Sequence, residues 1–144
     1  MSPDALAWAC AEAMFRRDPT SRALGMAIEA MGPGRARVSM PVSDAMANGH
    51  GSAHGGMIFA LADSAFAFAC NSRNVATVGQ NCTITYLAPA RVGEVLTAAA
   101  SETALVGRNG IYDVTVAGGD GRLVATFRGQ SAALKMPVIT EETP

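Results

Sequence analysis

The sequence predicts an α+β fold whose mostly antiparallel sheet curves around one long central helix. Three observations carry this. Six strand candidates outnumber two helix candidates, and the strands come in consecutive runs of two and four rather than alternating with helices. The helix candidate at 55–71 is apolar nearly all round, so it needs cover on most of its sides. A length of 144 residues with 49% hydrophobic composition suits one packed domain, here 1–136, followed by a loose tail at 137–144.

The first helix opens at Ser2-Pro3-Asp4: a hydroxyl cap, a proline in the first turn and an acid facing the positive end of the dipole. Leu6, Cys10, Ala13 and Met14 fall on one stripe, Arg16 and Arg17 suit the C-terminal end, and Pro19 stops the helix. Strands follow at 23–31 and 35–42, joined by the turn Gly32-Pro33-Gly34-Arg35. In the second, Ala36, Val38 and Met40 alternate with Arg35, Arg37 and Ser39, so one face is wet. A loop at 43–53 leads into the central helix. Strands at 75–87, 94–106, 110–117 and 123–135 complete the chain, separated by turn-forming Gly, Pro and Asp residues.

Composition excludes several functions. Eleven Lys and Arg against twelve Asp and Glu leave a net charge of −1, without the basic surplus that nucleic acid requires. Cys10, Cys70 and Cys82 form neither a CxxC pair nor an even disulfide set, and with two His residues they make a poor zinc site. Reduced thiols in a cytoplasmic protein are the expectation. The N-terminus carries its acid first and its basic pair last, the reverse of a secretory signal. The apolar run at 55–70 is too short for a membrane span, which takes about 20 residues, and Asp63 interrupts it.

Asp63 is the only acid between Asp44 and Glu94, and it sits among Phe59, Leu61, Ala62, Phe66 and Ala67. Apolar neighbours disfavour its charged form and make it a better base or nucleophile. Upstream lies the stretch Asn48-Gly-His-Gly-Ser-Ala-His54-Gly55-Gly56. A helix start offers N–H groups with no intrahelical partner, and glycine lets a carbonyl approach them closely. Gly55 and Asp63 are separated by about 12 Å along a helix with a rise of about 1.5 Å per residue. One reacting carbonyl therefore cannot touch both within a single chain. Two antiparallel helices across a two-fold axis can bring Gly55 of one copy to Asp63 of the other, which predicts a homodimer with two shared sites.

The same residues carry a resemblance. Asn48, His54-Gly55-Gly56 and Asp63, with "YLAPARVGEVLTAAA", "GIYDVTV" and "FRGQS", resemble the hotdog-fold acyl-CoA thioesterases, and among them those of phenylacetate degradation. The similarity runs over nearly the whole chain. It implies a sheet wrapped around the helix, dimers paired into tetramers, and hydrolysis of aryl- or acyl-CoA with no metal and no cofactor beyond the CoA of the substrate. By motif position Asp63 matches the family's catalytic acid, Gly55 the amide that polarises the thioester carbonyl, and Asn48 and His54 the supporting polar residues. Some relatives carry a water-placing hydroxyl one turn after the acid. Here that position is Ala67, while Ser64 adjoins Asp63.

For an acyl-CoA, Arg108 and Arg128 are candidate phosphate partners through their forked guanidinium groups. Asn109 and Gly110 are candidate backbone donors, and Gly56 a candidate close-approach residue. Met57, Phe59 and Phe66 are candidates for an apolar acyl pocket. Plainer readings stand beside these: His54 satisfied by backbone at the helix start, Asn48-Gly49 as an ordinary turn, the two arginines as solvated strand charges. Two functions compete. One is hydrolysis of aryl- or short-to-medium acyl-CoA, with phenylacetyl-CoA or a hydroxylated relative preferred. The other is a non-catalytic acyl-CoA binding or sensing module. Hydratase chemistry ranks below both, because the remaining histidine, His50, lies well before Asp63.

Overall fold

The computed structural model describes residues 1–141, and the last three residues of the expected tail lie outside them. The chain runs α1 (Pro3–Arg16), α2 (Pro19–Ala23), β1 (Ala27–Gly32), β2 (Arg35–Pro41), a single 3₁₀ turn (Asp44–Met46), α3 (Gly55–Cys70), β3 (Thr77–Tyr86), β4 (Val95–Val106), β5 (Asn109–Ala117) and β6 (Leu123–Ala133). The strands form one six-stranded sheet in the order β1-β2-β4-β5-β6-β3, and every neighbouring pair is antiparallel.

Ser2 Oγ accepts from the Ala5 N–H at 3.1 Å and caps α1 as its sequence predicts. Pro19 does more than stop that helix. Asp18 and Pro19 repeat the acceptor-then-proline pattern of Ser2-Pro3, and Asp18 Oδ1 accepts from the Ser21 N–H at 2.9 Å to start α2. The strand expected from residue 23 therefore begins only at Ala27, after Gly25 turns the chain at φ +75°. In β2, Ala36, Val38 and Met40 are buried and Arg35 and Arg37 exposed, the alternation read from the sequence.

Helix α3 packs against the sheet and contacts β2, β3, β4, β5 and β6. Ile58, Leu61, Ala62, Ala65, Phe66, Phe68 and Ala69 are buried along it. Phe66 is 1% exposed, with its ring centroid 5.7 Å from Tyr112 and 5.8 Å from Phe127. It seats over Gly129 of β6: a methyl group built there would lie 2.7 Å from the Phe66 ring. Gly79 of β3 flanks the same ring, its built Cβ 3.0 Å away. A bare backbone at these two positions lets the aromatic ring meet the sheet, and dense packing leaves no room for relaxation. Phe66→Ala is accordingly expected to destabilise the fold by about 3–5 kcal/mol, read as the shift of an equilibrium urea transition.

The segment after β6 was expected to hang loose from Pro137. Instead the Val138 and Ile139 N–H groups both donate to Asn74 Oδ1, at 3.0 and 2.8 Å. Asn74 Nδ2 returns a bond to the Ile139 carbonyl at 3.2 Å. Asn74 itself adopts φ +63°, a conformation asparagine tolerates better than most residues. No helix among the described residues is long and apolar enough to cross a membrane.

Candidate active site

Helix α3 carries both ends of the candidate site. At its start, His54 is the cap: its Nδ1 accepts from the Gly56 N–H at 3.0 Å. While the imidazole is neutral, its ring proton must then sit on Nε2. Gly56 is thereby committed to His54, and the plainer reading of His54 as a satisfied helix-start residue describes the bond it makes. Among the described residues nothing accepts from the Gly55 N–H, so the start of α3 keeps an unused donor on the positive end of the dipole. The Gly55 carbonyl accepts from the Tyr86 hydroxyl at 2.8 Å, and a Cβ at Gly55 would meet the Tyr86 ring at 3.1 Å.

Asn48 folds the preceding loop. Its Oδ1 accepts from the N–H groups of His50 at 2.9 Å and Ser52 at 3.3 Å. With the carbonyl oxygen so used, the amide nitrogen remains as its donor. Asn48, Gly55 and Tyr86 line one cavity of about 350 Å³.

Asp63 lies on the next stretch of α3, two turns further on, and lines a different cavity of about 290 Å³ with Met14, Asp18, Ser21, Ser64 and Phe68. Burial pushes its carboxyl above the ordinary aspartate value of 3.8, opposed by the Cys82 thiol, whose Sγ lies 3.9 Å from Oδ1. The Cys82 thiol is itself pushed up by burial and by the Asp63 charge, and burial takes Cys70 to about 12. Neither thiol is therefore an available thiolate near neutral pH.

The phosphate candidates are not gathered with these groups in one protomer. Arg128 gives Nε and Nη2 to the Asp113 carboxylate at 2.8 and 2.9 Å, so in this protomer its guanidinium fork is shared with a cross-strand carboxylate. Asn109 and Gly110 lie at the start of β5. Both pair with β4 on one side and β6 on the other, so their backbone groups belong to the sheet. Gly110 is glycine for packing: a Cβ would lie 2.6 Å from Ser131 Oγ and 2.8 Å from the Tyr112 ring. Arg108 is exposed in the β4–β5 turn, where its Nε donates to the Ala133 carbonyl at 3.0 Å. Of the apolar candidates, Phe66 is core, whereas Met57 and Phe59 are half-buried. Tyr86, Cys82, Asp18 and Ser21 join the site region without a local signal in the sequence, since three of them reach α3 from a strand or helix remote in the chain and the fourth only through Ser21.

The family model of the thioesterase superfamily matches residues 50–125. This chain belongs to the thioesterase superfamily. The superfamily member described here is 45% identical over 125 residues to the acyl-coenzyme A thioesterase PaaI of Escherichia coli K12, covering 87% of this chain and 89% of that protein. The solved structure of the E. coli PaaI protein from the phenylacetic acid degradation operon superposes with a TM-score of 0.93 at 42% identity, over 94% of this chain and 99% of that one. A hypothetical thioesterase from Streptococcus pneumoniae TIGR4, solved with coenzyme A, gives a TM-score of 0.80 at 25% identity, over 86% and 97% of the two chains. The six-stranded antiparallel sheet around α3 is the hotdog fold.

Proposed function

We propose that this thioesterase-superfamily protein hydrolyses aryl- or short-to-medium acyl-CoA to the free acid and CoA, with phenylacetyl-CoA or a hydroxylated relative preferred. The observation that carries the reading is one half-buried acid of raised pKa on α3, eight residues after a helix-start amide that no group among the described residues uses. The thioesterase relative at 45% identity and the coenzyme A bound to a related fold support the substrate class.

In the reaction, the Gly55 N–H polarises the thioester carbonyl and Asp63 of a second copy removes a proton from the attacking water. Asn48 and His54 support the carbonyl end, and Gly56 keeps the approach open. The C–S bond breaks, and the departing sulfur takes up the proton from Asp63. Direct attack by Asp63, through an anhydride, is the other route. Single turnover in ¹⁸O-labelled water separates them, because only direct attack leaves an unlabelled enzyme oxygen in the acid product. The separation of about 12 Å between Gly55 and Asp63 along α3 is the reason for a homodimer, and pairing of dimers into a tetramer is the proposed assembly. The proposed setting is the cytoplasm, with no metal, nucleic acid or membrane involved. Arg108 is the proposed phosphate contact.

Thiol release from an acyl-CoA panel tests the function. Tight acyl-CoA binding with no thiol released would establish the binding or sensing module instead. The pH profile gives a second check. Asp63 acts as the carboxylate, so kcat/KM should fall as pH drops through its pKa in the free enzyme. Burial raises that pKa, so the acidic limb is expected above the ordinary aspartate value of 3.8. A limb at or below it would contradict the role given to Asp63.

A further inference from the structure

Asp63 shares its cavity with a chain of three side chains whose hydrogen-bond direction is fixed. Asp18 Oδ2 accepts from the Ser21 hydroxyl at 2.6 Å, and Ser21 Oγ lies 3.1 Å from Ser64 Oγ. Distance alone leaves the donor in the second bond open. Chemistry closes it. A carboxylate only accepts, and a hydroxyl has one proton. Ser21 spends its proton on Asp18, so Ser64 must donate to Ser21. Ser21 is 1% exposed, which keeps water from competing for either bond. With its own proton spent, Ser64 Oγ offers only lone pairs to the cavity it lines with Asp63.

Resting on the function proposed above, we infer that Ser64 is the second acceptor for the hydrolytic water, and that Asp18 and Ser21 are positioning residues that hold Ser64 in its acceptor state. A water giving one proton to Asp63 and the other to Ser64 has both protons directed into the protein. Its lone pair is left for the thioester carbon. As Asp63 takes the first proton and the C–O bond forms, the second stays on the attacking oxygen, hydrogen-bonded to Ser64 Oγ, and leaves with the product acid. The cavity of about 290 Å³ has room for several waters, so a second acceptor selects one orientation among many. This gives the site a water-placing hydroxyl despite alanine at position 67.

The test uses the full chain and steady-state thiol release. Ser64→Ala is expected to lower kcat about tenfold, the worth of one hydrogen bond in the transition state, with KM within about twofold. Ser64→Thr, which keeps the hydroxyl, should recover most of that loss. Asp18→Asn is the sharper variant. Asparagine caps α2 as well as aspartate does, so Tm should hold. Its amide can donate to Ser21 and reverse the chain, so kcat should fall as in Ser64→Ala. A Ser64→Ala enzyme with wild-type kcat, a loss that threonine does not recover, or an Asp18→Asn variant altered only in Tm each overturns the inference. Wild-type turnover that Asp63→Asn abolishes but Ser64→Ala leaves intact sinks the water-placing role alone. A wild-type protein that releases no thiol sinks the function beneath it.

Discussion

Asp63→Asn is expected to lower kcat by about three orders of magnitude while leaving acyl-CoA affinity near wild type. The substitution keeps the shape of the side chain and removes only its ability to take a proton or attack carbon. Stability should move in the opposite direction. The folded protein holds the Asp63 carboxyl above its ordinary value of 3.8, because burial disfavours the charge. Between 3.8 and that raised value the folded state binds more protons than the unfolded one, so the Asp63 contribution to stability falls as pH rises through this window. Above the window the cost is complete, and below 3.8 it vanishes. Asparagine carries no such cost. The variant should therefore melt above wild type at neutral pH and converge with it in acid, as calorimetry across pH would record. An active Asp63→Asn enzyme refutes the assigned chemistry. A variant less stable than wild type at neutral pH points to a structural role for the carboxylate.

Gly55→Pro should cost about a hundredfold in kcat by deleting one donor to the developing oxyanion. The backbone accommodates it. Proline fits the first turn of a helix, and His54 before it has ψ 135°, the extended conformation that a residue preceding proline adopts. The ring would press on Tyr86, which is exposed and on a strand edge, so a Tyr86→Phe background serves as the control for that contact. Mixing this variant with Asp63→Asn then tests the shared site. In a mixed dimer one site pairs an intact Gly55 with an intact Asp63, and the other combines both defects. Random reassociation makes half the dimers mixed, so activity should return to about a quarter of wild type. Two inactive variants that stay inactive when unfolded and refolded together would place each site within one chain.

The element order was legible because hydrophobic periodicity is local. Alternation in β2 and the continuous apolar run of α3 each declare themselves within a dozen residues. The short helix α2 was passed over for a physical reason. Pro19 both ends a helix and starts one, and only the acceptor at Asp18 tells the two apart. The two ends of the candidate site stand out in the sequence for the same local reasons: an isolated acid in an apolar run, and glycines at a helix start. What surrounds them does not. Tyr86 reaches Gly55 across 31 residues of sequence, and Ser21 reaches Ser64 across 43. The Asp113 that occupies Arg128 is its cross-strand partner on β5, visible only once the register is known. Asn109 and Gly110 read as candidate backbone donors for a ligand, yet both ladders claim them.

The ring of Phe66 over Gly129 acts as an indexing pin between helix and sheet. A smooth apolar helix could slide or roll on a smooth apolar sheet at little cost. Here axial travel drives the ring into the side chains that border the glycines. Lengthwise placement of α3 is therefore set in its C-terminal half, and Gly55 and Asp63, lying on the same rigid rod, inherit that placement. Residues 66 and 129 should vary together or not at all, and loosening the pin should misplace Gly55 and Asp63 at once.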